Sequence, residues 1–153
     1  MLICKNHKRV LMRNVIYPLL LGILFYSCSK EEPPKLSAYN TEVYTLDMDS
    51  GWEVHALTRV KGFEQKEEAK NKFIATIAYD MDLITPKGDT LKSFISRVED
   101  KNAEERMTDA GLEAQFELDS TYTKGEYKVM FMIKDVLSGN SASTSSSFKI
   151  ENE

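Results

Sequence analysis

Residues 112–119 alternate strictly, with Leu112, Ala114, Phe116 and Leu118 apolar and Glu113, Gln115, Glu117 and Asp119 polar. Successive side chains of a strand point to opposite faces, so this spacing buries one face and wets the other, and it fits no helix. The same period returns where Tyr127, Val129, Phe131 and Ile133 interleave with Lys128, Met130, Met132 and Lys134. Strands of this kind need a second layer to cover their apolar face, so the chain is constrained to stacked or closed sheets.

Phe73 to Ile84 is more hydrophobic, with Phe73, Ala75, Ile77, Tyr79, Met81 and Leu83 on one face and Ile74, Thr76 and Ala78 on the other. It reads as a central strand covered on both sides over its first half. Pro86-Lys87-Gly88-Asp89 supplies turn chemistry, after which Thr90 to Val98 resumes in extended style. Asn40 to Asp47 and Trp52 to Phe63 are expected strands around the turn Asp49-Ser50-Gly51, and Ser141 to Ile150 should close a hairpin after Ser138-Gly139-Asn140. The small polar run Ser141 to Ser147 suits an edge strand that must not recruit other chains. Glu64 to Lys72 is expected as an exposed loop or helical turn, and Asp100 to Gly111 as a short helix with Met107 facing inward. About seven strands in about 115 residues predict one all-β domain over residues 38–153, a sandwich or a small barrel.

One local segment favours the sandwich. Thr123-Lys124-Gly125-Glu126-Tyr127-Lys128-Val129 resembles the start of strand F in immunoglobulin-like and fibronectin-like domains, where a tyrosine hydroxyl pins the corner of the Greek key. The resemblance implies an immunoglobulin-like antiparallel β-sandwich with Tyr127 as that tyrosine. Antibody domains carry a cysteine two residues later; Val129 stands there, which points to the disulfide-free branch of the fold.

The first residues set an address. Lys5, Lys8, Arg9 and Arg13 precede an apolar run from Val15 to Tyr26, and Ser27-Cys28 follows. This is the layout of a secretory signal peptide over residues 1–27. The run is about a dozen residues, whereas a bilayer-spanning helix takes roughly 20. Phe25-Tyr26-Ser27-Cys28 resembles the lipobox of bacterial lipoproteins, with Phe25 and Tyr26 departing from the preferred leucine and small residue. Ser29-Lys30-Glu31-Glu32 is similar to the lysine-plus-acid tag of Bacteroidota surface lipoproteins. The resemblance implies diacylglycerol and palmitate on Cys28, anchorage in the outer membrane and display at the cell surface. Acyl chains contribute about 0.8 kcal/mol per buried methylene, so two or three hold a protein stably. Residues 28–37, with Pro33-Pro34, form a tether that reaches at most about 25–30 Å.

Loss of the leader leaves 16 basic against 24 acidic residues, a net charge of −8. Such a domain repels nucleic acid, and no Lys/Arg stripe overrides the mean. Cys4 would leave with the signal and Cys28 would be lipidated, so a disulfide framework, a thiolate metal site and a cysteine nucleophile are all excluded.

Candidate sites are few. Trp52 after its turn, with Tyr44 or Tyr39, would make a stacking platform for a sugar ring; core packing is the plain alternative for a lone tryptophan. Asp47, Asp49, Asp80 and Asp82 are the carboxylates from which a calcium site could be built, although Thr58 stands where an EF-hand loop needs its closing acid. Turn aspartates are more often simply solvated. His55 lacks the partner set of a triad or zinc site. Glu99, Asp100, Glu104 and Glu105 could supply a carboxylate pair for glycoside hydrolysis, but a solvated charged loop is the plainer reading, and Met130 and Met132 suggest a packing face. No catalytic set, resident metal or cofactor is assigned. The expectation is a lipid-anchored, non-catalytic envelope protein with an envelope protein partner, or alternatively a carbohydrate or small-ligand binding accessory lipoprotein.

Overall fold

A computed structural model describes residues 35–151. The signal segment, Cys28 and most of the tether lie outside the described residues. Eight strands follow in order: β1 Ser37–Met48, β2 Gly51–Lys61, β3 Lys66–Ala69, β4 Lys72–Ile84, β5 Thr90–Ala103, β6 Asp109–Asp119, β7 Gly125–Asp135 and β8 Ser141–Ile150. They form two antiparallel sheets, β1-β2-β6 and a second of five strands in which β4 joins β3, β5 and β7, and β7 joins β8. Phe73 and Ile74 pair with both β3 and β5, so β3 lies on the same edge of β4 as β7, beyond its end.

The alternation sets the layers. Val54, Ala56 and Val60 of β2 and Leu112, Ala114 and Leu118 of β6 meet Ala75, Ile77, Tyr79, Met81 and Leu83 of β4 and Tyr127, Val129, Phe131 and Ile133 of β7 in one buried core. The Tyr127 hydroxyl donates to the Thr123 carbonyl at 2.6 Å, closing the corner that the resemblance implied. The architecture is the expected immunoglobulin-like sandwich, with one short strand more than seven.

Three polar devices tie the sheets together. Tyr79 of the larger sheet donates its hydroxyl to the Glu113 carbonyl of the smaller one, and burial pushes its pKa up to about 12. Thr41 Oγ1 lies 2.9 Å from Thr58 Oγ1 and 2.7 Å from Thr144 Oγ1, which joins β1 and β2 to β8. Asp135 is fully buried and accepts from the Glu64 and Leu137 amides and the Ser138 hydroxyl, so it holds the β7–β8 turn against the segment after β2.

Three expectations need correction. No helix spans 100–111, because β5 continues pairing with β4 as far as Ala103 opposite Phe73 and long-range pairing overrides local preference. Met107 does pack against the core, but its amide and carbonyl are held by the side chain of Gln65 at 2.8 Å each. Within Glu64 to Lys72, residues 66–69 fold back as β3, since Asn71 takes a φ of 61° and completes a tight turn. Finally, β4 is not covered on both sides over its first half: Ile74, Thr76 and Ala78 are half-exposed, and the run buried on both faces is Met81-Asp82-Leu83. There a bulge in β5 brings the Ser93 amide, with φ at 47°, to Asp82 Oδ1 at 2.7 Å.

Candidate functional site: a cleft beside the three-stranded sheet

Residues paired across an antiparallel sheet point to the same side. On the outer side of the three-stranded sheet the register therefore builds successive rows: Tyr39–Arg59–Gly111, Glu42–Leu57–Glu113, Tyr44–His55–Gln115 and Leu46–Glu53–Glu117. Tyr39 and Tyr44 are an odd number of residues apart and would face opposite ways in a regular strand. A bulge between Tyr39 and Glu42, with Asn40 at a φ of 49°, restores them to one face.

Across the first three rows lies a cleft of about 610 Å³, lined by the smaller sheet and by Arg97, Glu99 and Lys101 of β5. Its volume falls in the ~300–1,000 Å³ range of small-ligand sites. Two features make it. Gly111 supplies no side chain, and a Cβ built there would meet nothing within 4 Å; the glycine satisfies no strained backbone and leaves open space. In addition, the alternation of β5 inverts: Arg97, Glu99 and Lys101 share the face of Tyr79, Ile77 and Ala75, while Val98 points outward and is 69 % exposed. Charged side chains cannot pack in the core unpaired, so beyond the edge of β6 they become the cleft wall.

The polar side chains largely hold one another. Asp109 accepts from the Tyr39 hydroxyl at 2.7 Å and from Arg59. The Tyr39 hydrogen bond first, then that from Arg59, keeps the Asp109 carboxyl below its ordinary range, and the same carboxylate raises Arg59. The His55 ring stacks on Tyr44 at 4.8 Å between centroids and 5° between planes. Its Nε2 and Nδ1 lie 3.2 Å from carboxylate oxygens of Glu53 and Glu113. Lys101 pairs with Glu99 at 2.6 Å. Among the described residues, Arg97 and Glu42 are the cleft's charged side chains without an ion pair.

Of the residues singled out in the sequence, Tyr39 and Tyr44 stand on this face and Trp52 does not. Trp52 pairs with Leu118, packs against the core and is covered by the Lys124 ammonium at 5.5 Å. The aspartates do not gather: Asp47 lies one residue before the end of β1 and Asp49 lies in the turn, whereas Asp80 and Asp82 sit on β4 in the other sheet. No group of three or more potential metal-ligating side chains occurs among the described residues. Asp100 points away from Glu99 and accepts from Thr76 at 2.6 Å; Glu104 and Glu105 are exposed beyond β5. Met130 and Met132 lie on the outer side of the larger sheet, opposite Ser145 and Ser143, and not on a covered face.

Arg97, Gly111, Glu42 and Gln115 were not singled out from the sequence. A signal was present at Gly111, since a glycine inside a strand pattern marks a bulge or a close approach of a ligand. The expected helix, ending at that glycine, concealed it.

No family model matches the chain, and no curated protein matches it. Among solved structures, a family 123 glycoside hydrolase from Clostridium perfringens, described in terms of glycolipid glycan hydrolysis, has a TM-score of 0.48 at 12% identity over 80% of this chain. The chain spans 28% of that protein's length.

Proposed function

We propose that this chain is a lipid-anchored, non-catalytic binding protein of the bacterial outer membrane, held through Cys28, that captures carbohydrate in the cleft of its three-stranded sheet. The observation that carries the reading is the cleft itself, a concavity opened by Gly111 and lined by hydrogen-bonding side chains that include Asn40, Gln115 and Glu113. Sugar hydroxyls both donate and accept, so a mixed lining of this kind suits them better than a uniformly charged or apolar ligand. Tyr39 and Tyr44 stand on the same side of β1, outside the cleft lining, where the free face of an aromatic ring can take the apolar face of a sugar that extends beyond it. Glu99 and Glu113 are engaged by Lys101 and His55, which supports a role as positioned acceptors and not as a free acid and base.

Two measurements test the reading. Palmitate label should enter the wild type and be absent from Cys28→Ala; equal labelling overturns the anchor. Thermal-shift and NMR titration against a glycan panel should move amides of rows 39–111 to 44–115, and a panel without effect overturns carbohydrate capture. A second reading, an envelope protein partner, is favoured by exposed apolar side chains on the outer side of the larger sheet. There Val98 at 69 % and Met132 at 37 % exposure lie on adjacent rows.

A further inference from the structure

The geometry points to a sugar bearing a single carboxylate, a uronic-acid type of residue within an otherwise neutral glycan, as the ligand of this cleft, with Arg97 as the group that recognises the acid. The inference rests on the carbohydrate reading above and deepens it.

Most of the cleft's charges are already matched. Lys101 is held by Glu99 and Arg59 by Asp109, while Glu113 is within hydrogen-bond distance of His55. Arg97 is exposed, belongs to none of these pairs, and projects from the inward side of β5 into the cleft. An unpaired guanidinium is notable in a mature chain carrying 24 acidic residues against 16 basic ones. A guanidinium presents a planar fork of donors that matches a carboxylate with two parallel hydrogen bonds.

The opposite wall sets the rest of the ligand. Glu42 on β1 makes no ion pair among the described residues, and it shares a row with Leu57 and Glu113. Glu42 can only accept, so it calls for hydroxyl donors and rejects a second acid group. β1 and β6 are two strand spacings apart, about 10 Å, and β5 lies beyond. A ligand reaching from Arg97 to Glu42 therefore spans more than one sugar ring, with its acid at the β5 end and hydroxyls over Gly111 and Leu57. The acidic net charge, −4 for the whole chain and more negative once the leader is lost, repels polyanions at long range, which disfavours heparin-like chains and nucleic acid and leaves one acid group matched by one arginine.

The test uses the full chain in detergent and three disaccharides of the same linkage: glucuronosyl-xylose, its methyl ester, and the neutral glucosyl-xylose. Affinities are read by isothermal titration and by NMR shifts of cleft amides. The acid should bind at least ten-fold more tightly than the ester or the neutral sugar. Arg97→Ala should erase that preference while leaving the weak neutral binding, and Arg97→Lys should restore it only in part, since an ammonium lacks the fork. Equal binding of acid and ester, or a preference that survives Arg97→Ala, overturns the inference and leaves carbohydrate capture standing. No shift with any of the three sugars overturns both. Tighter binding of a peptide with a C-terminal carboxylate than of the acid sugar, lost in Arg97→Ala, overturns the sugar class. Ser143→Ala, on the opposite sheet, serves as the folded control.

Discussion

The outer sides of the two sheets are built from strands of similar length, yet one carries a cleft of about 610 Å³ and the other only smaller hollows of about 360 and 330 Å³. On the three-stranded sheet, long polar side chains stand in rows and hold one another, as in Tyr39–Asp109–Arg59 and Tyr44–His55–Glu113, around the gap at Gly111. On the larger sheet the rows run Val98–Ala78–Lys134–Ser141 and Ser96–Asp80–Met132–Ser143. Alanine and serine are short, so the hollows they line there stay smaller. The contrast teaches that depth on a sheet surface comes from leaving one small residue among large, mutually fixed ones.

The comparison breaks most severely beneath both faces. Asp135→Ala removes a buried acceptor of three hydrogen bonds, and bonds to a charged group are worth about 1.5–3 kcal/mol each. A loss of about 3 kcal/mol or more in urea unfolding is expected, with the two faces losing order together. A smaller loss, about 1 kcal/mol, is expected for Tyr79→Phe, which cuts the tie from β4 to Glu113. Its pH signature is specific. The folded pKa of Tyr79 is raised from 10.0 to about 12, so the stabilisation is complete below pH 10 and is lost as pH rises through 12. Unfolding followed from pH 9 to pH 12 should show that decline in the wild type, and a shallower one in the variant.

Two substitutions sharpen the contrast between the faces. Gly111→Ala meets open space and restricts the unfolded chain, so it should raise stability by about 0.5 kcal/mol while weakening ligand binding. Ser143→Val on the outer side of the larger sheet should change stability by no more than about 0.5 kcal/mol and leave ligand titrations unmoved; an effect on binding there would dissolve the distinction. The smallest effect is expected at Asp109, whose folded pKa is lowered, chiefly by the Tyr39 hydrogen bond. Its contribution is present above the ordinary value of 3.8 and is lost as pH falls through the depressed one. Asp109→Asn should flatten the fall of melting temperature below pH 4.

The layers were legible because their strands keep a strict period: Leu112 to Leu118 and Tyr127 to Ile133 announce which side is buried, and Thr123 to Tyr127 announces the corner. The cleft was not, for two physical reasons. Tyr39 and Tyr44 have opposite parity along the chain and share a face only through the bulge at Asn40, a backbone irregularity that no alternation reveals. Arg97, Glu99 and Lys101 invert the pattern of β5 because an edge strand overhanging its neighbour has no core to fill, and that overhang depends on how two distant strands stack. Trp52 misled for a third reason: a residue after a turn can still fall on the inward parity of its strand, as its pairing with Leu118 shows.

The threonine contact between β1 and β8 has a mechanical consequence. The described chain enters the domain at β1, the strand that carries Tyr39, Glu42 and Tyr44, so a pull on the segment before it acts along that strand. Ladder hydrogen bonds lie perpendicular to the strands, and a pull along β1 would load them in parallel as shear, with Thr41–Thr144 sharing the strain with the opposite sheet. Stripping β1 from the domain would then require many bonds to fail at once, instead of unzipping one by one.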